Sequence, residues 1–337
     1  MASGRKHVNR RDVNGIVLLD KPQGLSATQA LGRVKWLYGA RKGGHTGALD
    51  PLATGLLPLC FGHATKVSGL LLDADKVYEC VARLGVITDS ADLDGAVLET
   101  RAVPDLNAAS VEAAVAQFRG AIQQVPPMVS ALKHKGQRLY ALARKGVVVE
   151  REPRAVSIYS LEFRCLDETR LWLRVHCSKG TYIRSLVHDL GEVLGCGAAV
   201  EMLRRTRHGP FSIADAHTIE DMEVRFADAV GTPASADDAS SGSVVDGAEI
   251  CSISAVQAGR EALDAWLLSP DLALAHLPEI DLDAARARFY CSGNPVFVAK
   301  PGDLGARRVY AKGVFLGVGE IIDDGRLAPR RRFVDAE

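Results

Sequence analysis

Residues 45–55 read HTGALDPLATG, within a longer stretch, residues 41–58, that has the apolar spacing of neither a helix nor a strand. Four glycines and two prolines in this stretch indicate a structured loop. A loop of this length in a compact domain is usually functional. Its single acid, Asp50, precedes Pro51, which biases the backbone of Asp50 toward an extended conformation.

The loop suits a reactive carboxylate. Gly47 and Gly55 permit unusual backbone angles or the close approach of a ligand. A carboxylate held on such a loop is well placed to act as a nucleophile or a base. In the alternative interpretation Asp50 only forms a turn before Pro51, and the loop residues alone do not choose between the two.

The segments around the loop are predicted to be strands and helices that follow no repeating order. Strands are predicted at residues 15–20, 77–88, 156–163 and 171–177, and toward the C-terminus at 289–299 and 307–322 with a turn at Lys312-Gly313. Helices are predicted from Ser26 to Gly39, over 107–119, and from a Thr181 cap to about Leu194. The mixture predicts an α+β fold rather than a doubly wound parallel sheet.

Composition divides the chain into four parts. Residues 1–13 are polar and basic and predict a flexible tail; residues 14–226 predict the main domain. Residues 227–260 include an acidic stretch rich in Ser, Ala and Gly and predict an insertion or linker. Residues 266–337 predict a small β-rich domain.

The whole-chain composition is that of an ordinary globular protein, with 47% apolar and 24% charged residues. No apolar run approaches the roughly 20 residues that span a bilayer. The seven cysteines form no C-x-x-C pair, so we expect reduced thiols and a cytoplasmic protein without a metal centre. We find no P-loop, dinucleotide fingerprint or zinc pattern and therefore expect no cofactor.

The formal net charge is zero, so nucleic-acid binding would require locally concentrated basic residues. Residues 130–154 carry seven Lys or Arg against two Glu, and Arg326 and residues 330–332 add four arginines near the C-terminus. Such clusters supply phosphate contacts, which position RNA and weaken with salt. A basic run can equally be a solvated face.

Together these segments resemble the TruB-type tRNA pseudouridine(55) synthases of bacteria. The loop 45–55 is similar to the family's catalytic motif. Five further motifs are similar to those of the family and occur in the same order. They are the first strand 15–24, the tyrosine motif 76–78, the acidic loop 88–95, the RNA-binding insertion around 126–133 and the arginine motif 178–186. The likeness covers residues 14–210 and resumes at 319–331, where the chain resembles a PUA-like RNA-binding domain.

The resemblance implies a fold and a set of site residues. The fold is a pseudouridine-synthase domain built on a mixed, mainly antiparallel sheet with flanking helices, carrying an RNA-binding insertion at about 122–154, and followed by the PUA-like domain. Asp50 would be the nucleophile or base, Arg184 its ion-pair partner, and Tyr78 the residue that stacks on the target base and could transfer a proton. An arginine beside Asp50 is expected to lower its pKa. The expected substrate-binding residues are His45, which would help to expose the base, and Tyr182, Leu203, Lys66, Asp92, Lys133 and Arg144.

The implied function is conversion of uridine 55 in the TΨC loop of tRNA to pseudouridine, by a monomer with no obligatory protein partner and no membrane association. Three alternatives stay open. One is a guide-dependent or other-RNA pseudouridine synthase, and another is a tRNA-binding or folding protein without catalysis. The third is a glycosidase, which needs a second carboxylate, for which Asp92 is the candidate.

Overall fold

A computed structural model of the protein describes residues 10–130, 132–134, 136–139, 142, 146–147, 149–231, 253–298 and 304–333. Residues 1–9 of the predicted tail, Arg144, and residues 232–252 of the predicted insertion lie outside the described residues, as does the side chain of Lys133. Among the described helices, none has the length and apolar character needed to cross a membrane.

The strands, numbered in chain order, are β1 Gly15–Lys21, β2 Gly43–His45, β3 Thr54–Phe61, β4 Lys76–Leu84, β5 Val86–Thr88, β6 Val97–Thr100, β7 Gly120–Gln124, β8 Lys133–His134, β9 Gln137–Arg138, β10 Arg154–Asp167, β11 Arg170–Cys177, β12 Ala198–His208, β13 Phe211–Ser212, β14 Glu279–Asp281, β15 Val296–Phe297, β16 Gly305–Ala311, β17 Val314–Ile321 and β18 Arg326–Arg332. The α-helices are α1 Ala27–Leu37, α2 Ser68–Leu72, α3 Ala108–Ala116, α4 Ile183–Val193, α5 Ile219–Val230, α6 Ile253–Asp264 and α7 Ala284–Cys291. Short 3₁₀ helices lie at Gly62–Lys66, Ile213–Asp215 and Pro270–Leu274.

The larger sheet has the strand order β1-β3-β12-β4-β11-β10-β7, with β2 paired to β3 and β13 to β12. All of its pairs are antiparallel except β3 with β12. A second sheet, ordered β14-β16-β17-β18-β15, is antiparallel except for β14 with β16. The expected α+β fold with a mixed, mainly antiparallel sheet and a β-rich C-terminal region is confirmed.

Burial explains which sequence patterns formed strands. In β11 the alternating apolar residues are 0–1% exposed and face the main core, and they are Leu171, Leu173, Val175 and Cys177. Helix α4 lies over the same core. Strand β1 is apolar without alternation because both of its faces are buried: Val17 and Leu19 lie in the main core, whereas Ile16 and Leu18 lie in a second core with Leu274 and Phe333.

Three local predictions need correction. The loop is shorter than 41–58, because β2 and β3 pair across it and the apolar start of β3 is buried; residues 46–53 remain as loop. Thr181 does not cap α4: its hydroxyl donates to the Ser178 carbonyl at 3.0 Å, and Tyr182 occupies the cap position without a side-chain bond. The predicted strand 289–299 begins in the last turn of α7 and contains the short strand β15 at Val296–Phe297; Asp283 caps α7 by accepting from the Arg286 amide at 2.8 Å.

Helices α5 and α6 and residues 266–274 follow the last strand of the larger sheet and pack against the first part of the chain. Helix α5 extends to Val230 and α6 begins at Ile253, so the ends of the expected 227–260 linker are helical. The Tyr38 hydroxyl donates to the Leu263 carbonyl at 2.9 Å, and Leu268 forms an antiparallel bridge with Ile16. Residues 266–274 therefore pack with the first region, although the sequence predicted that they begin the second.

Candidate active site

Asp50 lies on the loop between β2 and β3, at the edge of a pocket of about 330 Å³. The loop is held locally, because the Ala53 amide donates to the Asp50 carbonyl at 3.1 Å and the Gly24 amide donates to the Pro51 carbonyl at 2.8 Å. The pocket is lined by Gly47, Ala48, Leu49, Asp50, Ala53, Leu72, Lys76, Tyr78, Ser130, Ser178, Gly180, Thr181, Tyr182, Ile183, Arg184, Leu203 and Arg205. The residues come from distant parts of the chain, so only the folded sheet assembles this pocket.

Arg184 forms an ion pair with Asp50. Its Nη2 lies 2.9 Å from Asp50 Oδ2, and the same nitrogen donates to the Val129 carbonyl at 2.7 Å. The Arg184 side chain is 4% exposed, whereas that of Asp50 is 42% exposed. The guanidinium is therefore fixed within the protein, and it holds a carboxylate that still faces the pocket.

Asp92 holds the other side of the same guanidinium. Its Oδ2 lies 3.5 Å from Arg184 Nη1, which also donates to the Ser90 carbonyl at 2.9 Å. The Ser90 hydroxyl donates to Asp92 Oδ1 at 2.6 Å. Asp92 is buried and is not among the residues that line the pocket, so it contacts Arg184 rather than the open space.

The pKa of Asp50 is raised above its ordinary value of 3.8, and burial is the largest cause. The neighbouring charges of Arg184 and Lys21 act in the opposite direction, and Asp92 adds to the increase. Arg184 lowers the pKa of Asp50, as expected, but burial outweighs this effect and the net pKa is raised. The motif indicated the cation, but the loss of solvent around a pocket depends on the folded structure.

The raised pKa of Asp50 predicts how the reaction rate depends on pH. A protonated Asp50 can neither attack a sugar carbon nor remove a proton, so the rate of any reaction that uses its carboxylate falls as pH is lowered through its pKa. We expect the acid limb of the single-turnover rate to have its midpoint above 3.8. Stopped reactions across a pH series would measure it, with substrate binding measured at each pH. A midpoint at or below 3.8 would contradict the raised pKa.

The pocket wall next to Asp50 contains three of the residues expected from the sequence. Tyr78 on β4 is half-buried, and burial raises the pKa of its hydroxyl. Leu203 on β12 is 6% exposed, and Tyr182 immediately precedes α4. Gln124 fixes the Tyr182 backbone by accepting from its amide at 2.7 Å and donating to its carbonyl at 3.0 Å. The pocket therefore has an aromatic and aliphatic wall beside the carboxylate.

Two expected substrate-binding residues lie away from this pocket. His45 is on β2, and its buried Nδ1 has no hydrogen-bond partner among the described residues. Burial, followed by Arg205, lowers the pKa of His45, which favours the neutral ring. Lys66 lies at the end of a 3₁₀ helix, where its Nζ donates to the Arg332 carbonyl at 2.6 Å. Lys66 thus links this 3₁₀ helix to β18 of the second sheet.

Three cationic residues near the loop, Lys21, Lys76 and Arg205, had no role of their own predicted from the sequence. Lys21 is fully buried, and its Nζ donates to the carbonyls of Pro22 and Leu25 at 2.8 and 2.7 Å. Burial lowers the pKa of Lys21 to about 8, and it does the same for Lys76. Lys76 could have been found by strand alternation, since it is two residues from Tyr78 on the same strand. Arg205 has the same relation to Leu203.

The close approach of β12 to the loop requires a glycine at position 55. Its φ is +99°, and a Cβ there would lie 2.4 Å from the Arg205 carbonyl oxygen and 2.8 Å from its amide nitrogen. We expect Gly55→Ala to lower the free energy of unfolding by about 2 kcal/mol or more, because both strain and a backbone clash are added. Gly44→Ala is the control, since its Cβ would meet nothing within 4 Å. Urea titrations of both variants measure this; equal midpoints would contradict the close packing.

Family models match most of the chain. The model of the TruB family pseudouridylate synthase N-terminal domain matches residues 35–183, and that of the tRNA pseudouridylate synthase B C-terminal domain matches residues 184–236. A third model, of the C-terminal region of pseudouridine synthase II TruB, matches residues 278–333. The three matches follow in sequence, as the parts of one protein would.

Solved structures share the fold. A chain of a Cbf5–Nop10–Gar1 complex superposes with a TM-score of 0.68 at 23% identity, covering 99% of this chain and 88% of the other. A chain of an H/ACA RNP bound to a substrate RNA containing 2′-deoxyuridine gives a TM-score of 0.66 at 22% identity, with coverages of 96% and 86%. At such identities the likeness establishes the fold alone.

Sequence relatives are much closer. The tRNA pseudouridine synthase B of Stutzerimonas stutzeri (strain A1501) is 49% identical over 323 residues, and that of Pseudomonas aeruginosa (strain UCBPP-PA14) is 47% identical over 323 residues. Each alignment covers 96% of both chains. With the family matches, this identity over nearly the whole length shows that the chain belongs to the TruB family of pseudouridine synthases.

Proposed function

We propose that this protein converts the uridine at position 55, in the TΨC loop of tRNA, to pseudouridine. The observation that carries the proposal is the Asp50 carboxylate, held 2.9 Å from a buried Arg184 and facing a pocket lined by Tyr78. Relatives that match 96% of the chain are named tRNA pseudouridine synthase B, which supports tRNA as the substrate.

The reaction needs one well-placed carboxylate. The glycosidic bond from N1 of uracil to the sugar breaks, the uracil rotates, and C5 forms a new bond to the same sugar carbon. The proton lost from C5 is balanced by one gained at N1, so reactant and product are isomers and no oxidant is consumed. Asp50 either attacks the sugar or removes a sugar proton, and both routes use its ionised form.

The neighbouring residues have complementary roles in this proposal. Tyr78 stacks on the uracil while it is detached, and its hydroxyl is available for proton transfer. Tyr182 and Leu203 complete the wall against which the base rotates. Because Asp92 contacts Arg184 rather than the pocket, it holds the guanidinium in place and supports the substrate only indirectly.

The target base must leave its stack before the sugar is accessible, at a cost of a few kcal/mol. We propose that the neutral ring of His45 takes the space that the base vacates. Lys66, Lys133, Arg144 and the arginines of residues 330–332 would contact phosphates, which gives affinity without sequence selection. The catalytic domain would then comprise residues 14–226, and the β-rich C-terminal region would bind RNA as a PUA-like domain.

A guide-dependent synthase is the second candidate, because the similar solved folds include chains of a Cbf5–Nop10–Gar1 complex and an H/ACA RNP. We favour the stand-alone enzyme, since the relatives at 47–49% identity are named as tRNA enzymes. We therefore expect a monomer that acts in the cytoplasm without an obligatory protein partner.

Purified protein incubated with an unmodified tRNA transcript separates these candidates. We expect about one pseudouridine per tRNA with no guide RNA or second protein added. A requirement for guide RNA would select the second candidate. Tight tRNA binding without any pseudouridine would mean a binding or folding protein and would overturn the proposal.

A further inference from the structure

Arg205 is a buried cation beside the pocket, distinct from the ion-paired Arg184. It lines the pocket, is 1% exposed, and is among the largest fully buried side chains of the protein. In the part of the chain that the structure describes, its side chain donates to two backbone carbonyls. Since burying a guanidinium costs free energy, these contacts need an explanation.

These two hydrogen bonds join the two ends of the loop that carries Asp50. Arg205 Nε donates to the Leu56 carbonyl at 2.7 Å, and Nη2 donates to the Gly47 carbonyl at 3.3 Å. Gly47 is three residues before Asp50, and Leu56 is six residues after it. A single rigid guanidinium therefore sets the separation of the two ends of the loop.

Arg205 also lies beside the aromatic wall of the pocket. It pairs with Tyr78 across β12 and β4, and both residues line the pocket. Burial raises the pKa of Tyr78, and Arg205 acts in the opposite direction. The same side chain thus bonds the loop of Asp50 and neighbours the phenol of Tyr78.

We propose that Arg205 is a positioning residue, which fixes the Asp50 loop at the distance from Tyr78 that the reaction requires. The proposal rests on the function proposed above. Arg184 orients the carboxylate itself, whereas Arg205 sets where the backbone of the loop lies relative to Tyr78. A planar guanidinium suits this task because its donors form a fixed fork, and a lysine offers only a point charge on a flexible stem.

The first test compares Arg205→Lys and Arg205→Gln with wild type in single-turnover pseudouridine formation on saturating tRNA. A misplacement of about 1 Å costs roughly 10²-fold in rate, so we expect losses of about that size with an unchanged dissociation constant for tRNA. Arg207→Gln is the matched control, because Arg207 is exposed on the same strand and lines a cavity on the other face of the sheet. We expect it to retain the wild-type rate.

A double-mutant cycle with Tyr78→Phe measures the coupling between the two substitutions, which a general loss of stability would not produce. If Arg205 acts partly through the Tyr78 hydroxyl, Arg205→Gln will slow the Tyr78→Phe enzyme less than it slows wild type, because the two losses overlap. Losses that multiply independently would overturn the inference. Should Arg205→Gln fail to fold, Arg205→Lys takes its place in the cycle.

The outcomes separate this inference from the proposed function. An inactive wild-type protein would remove the proposed function. An active wild type with Arg205 variants as fast as Arg207→Gln, or with losses confined to tRNA binding, would overturn only the positioning role of Arg205.

Discussion

Asp50→Asn is expected to reduce the single-turnover rate of pseudouridine formation by at least about 10⁴-fold, the size of loss seen when a central catalytic group is removed. Asparagine has nearly the same shape as aspartate but cannot supply the negative charge that attacks the sugar or accepts its proton. Rapid mixing with excess enzyme and radiolabelled tRNA measures the rate. A variant that retains wild-type activity would show that another group performs the reaction.

The fold should tolerate this change. The Asp50 side chain is 42% exposed, and the loop bonds of its carbonyl and of Pro51 come from the backbone. Asp94→Asn is a matched control, because Asp94 is an exposed acid outside the pocket. We expect tRNA binding to survive in both variants and activity to survive only in Asp94→Asn.

Arg184→Ala is expected to have the second largest effect, and it acts on both rate and stability. It removes the partner of two carboxylates and leaves Asp92, whose side chain is 8% exposed, as an unpaired buried charge. Breaking such a buried pair costs about 3 kcal/mol. We expect the rate to fall by about 10³-fold, because Asp50 loses its orientation, while tRNA affinity changes much less.

Arg184→Lys distinguishes charge from geometry. A lysine keeps the positive charge but cannot bond both carboxylates and the carbonyls of Ser90 and Val129 at once. We expect it to recover part of the stability measured in urea and little of the rate. An Arg184→Ala variant whose loss was confined to tRNA binding would contradict the pairing with Asp50 as a catalytic arrangement.

The sequence was informative where one short segment carried the signal. The loop around Asp50, the tyrosine motif at Tyr78 and the arginine motif at Arg184 were recognised through their resemblance to family motifs, and the structure brings the three residues to one pocket. Their chemical roles stay predictions. The alternation of apolar residues in β11 was likewise sufficient to predict that strand, because a strand with one buried face shows this pattern within its own sequence.

Features that depend on long-range packing were not predictable in this way. Asp92 lies behind Arg184 rather than in the pocket, and the position of Arg205 beneath the loop depends on the parallel pairing of β12 with β3. The raised pKa of Asp50 depends on burial by the whole pocket. Residues 289–291 end a helix that Asp283 caps at its other end, although the sequence predicted that a strand begins at residue 289.

Isomerisation of uridine 55 by Asp50 can be tested with a nucleotide-resolution map of pseudouridine in a tRNA transcript after incubation with the purified protein alone. We expect one new pseudouridine, at position 55, with wild-type protein and none with Asp50→Asn. A modification at a different position, no modification by the wild type, or the same map with both proteins would contradict it.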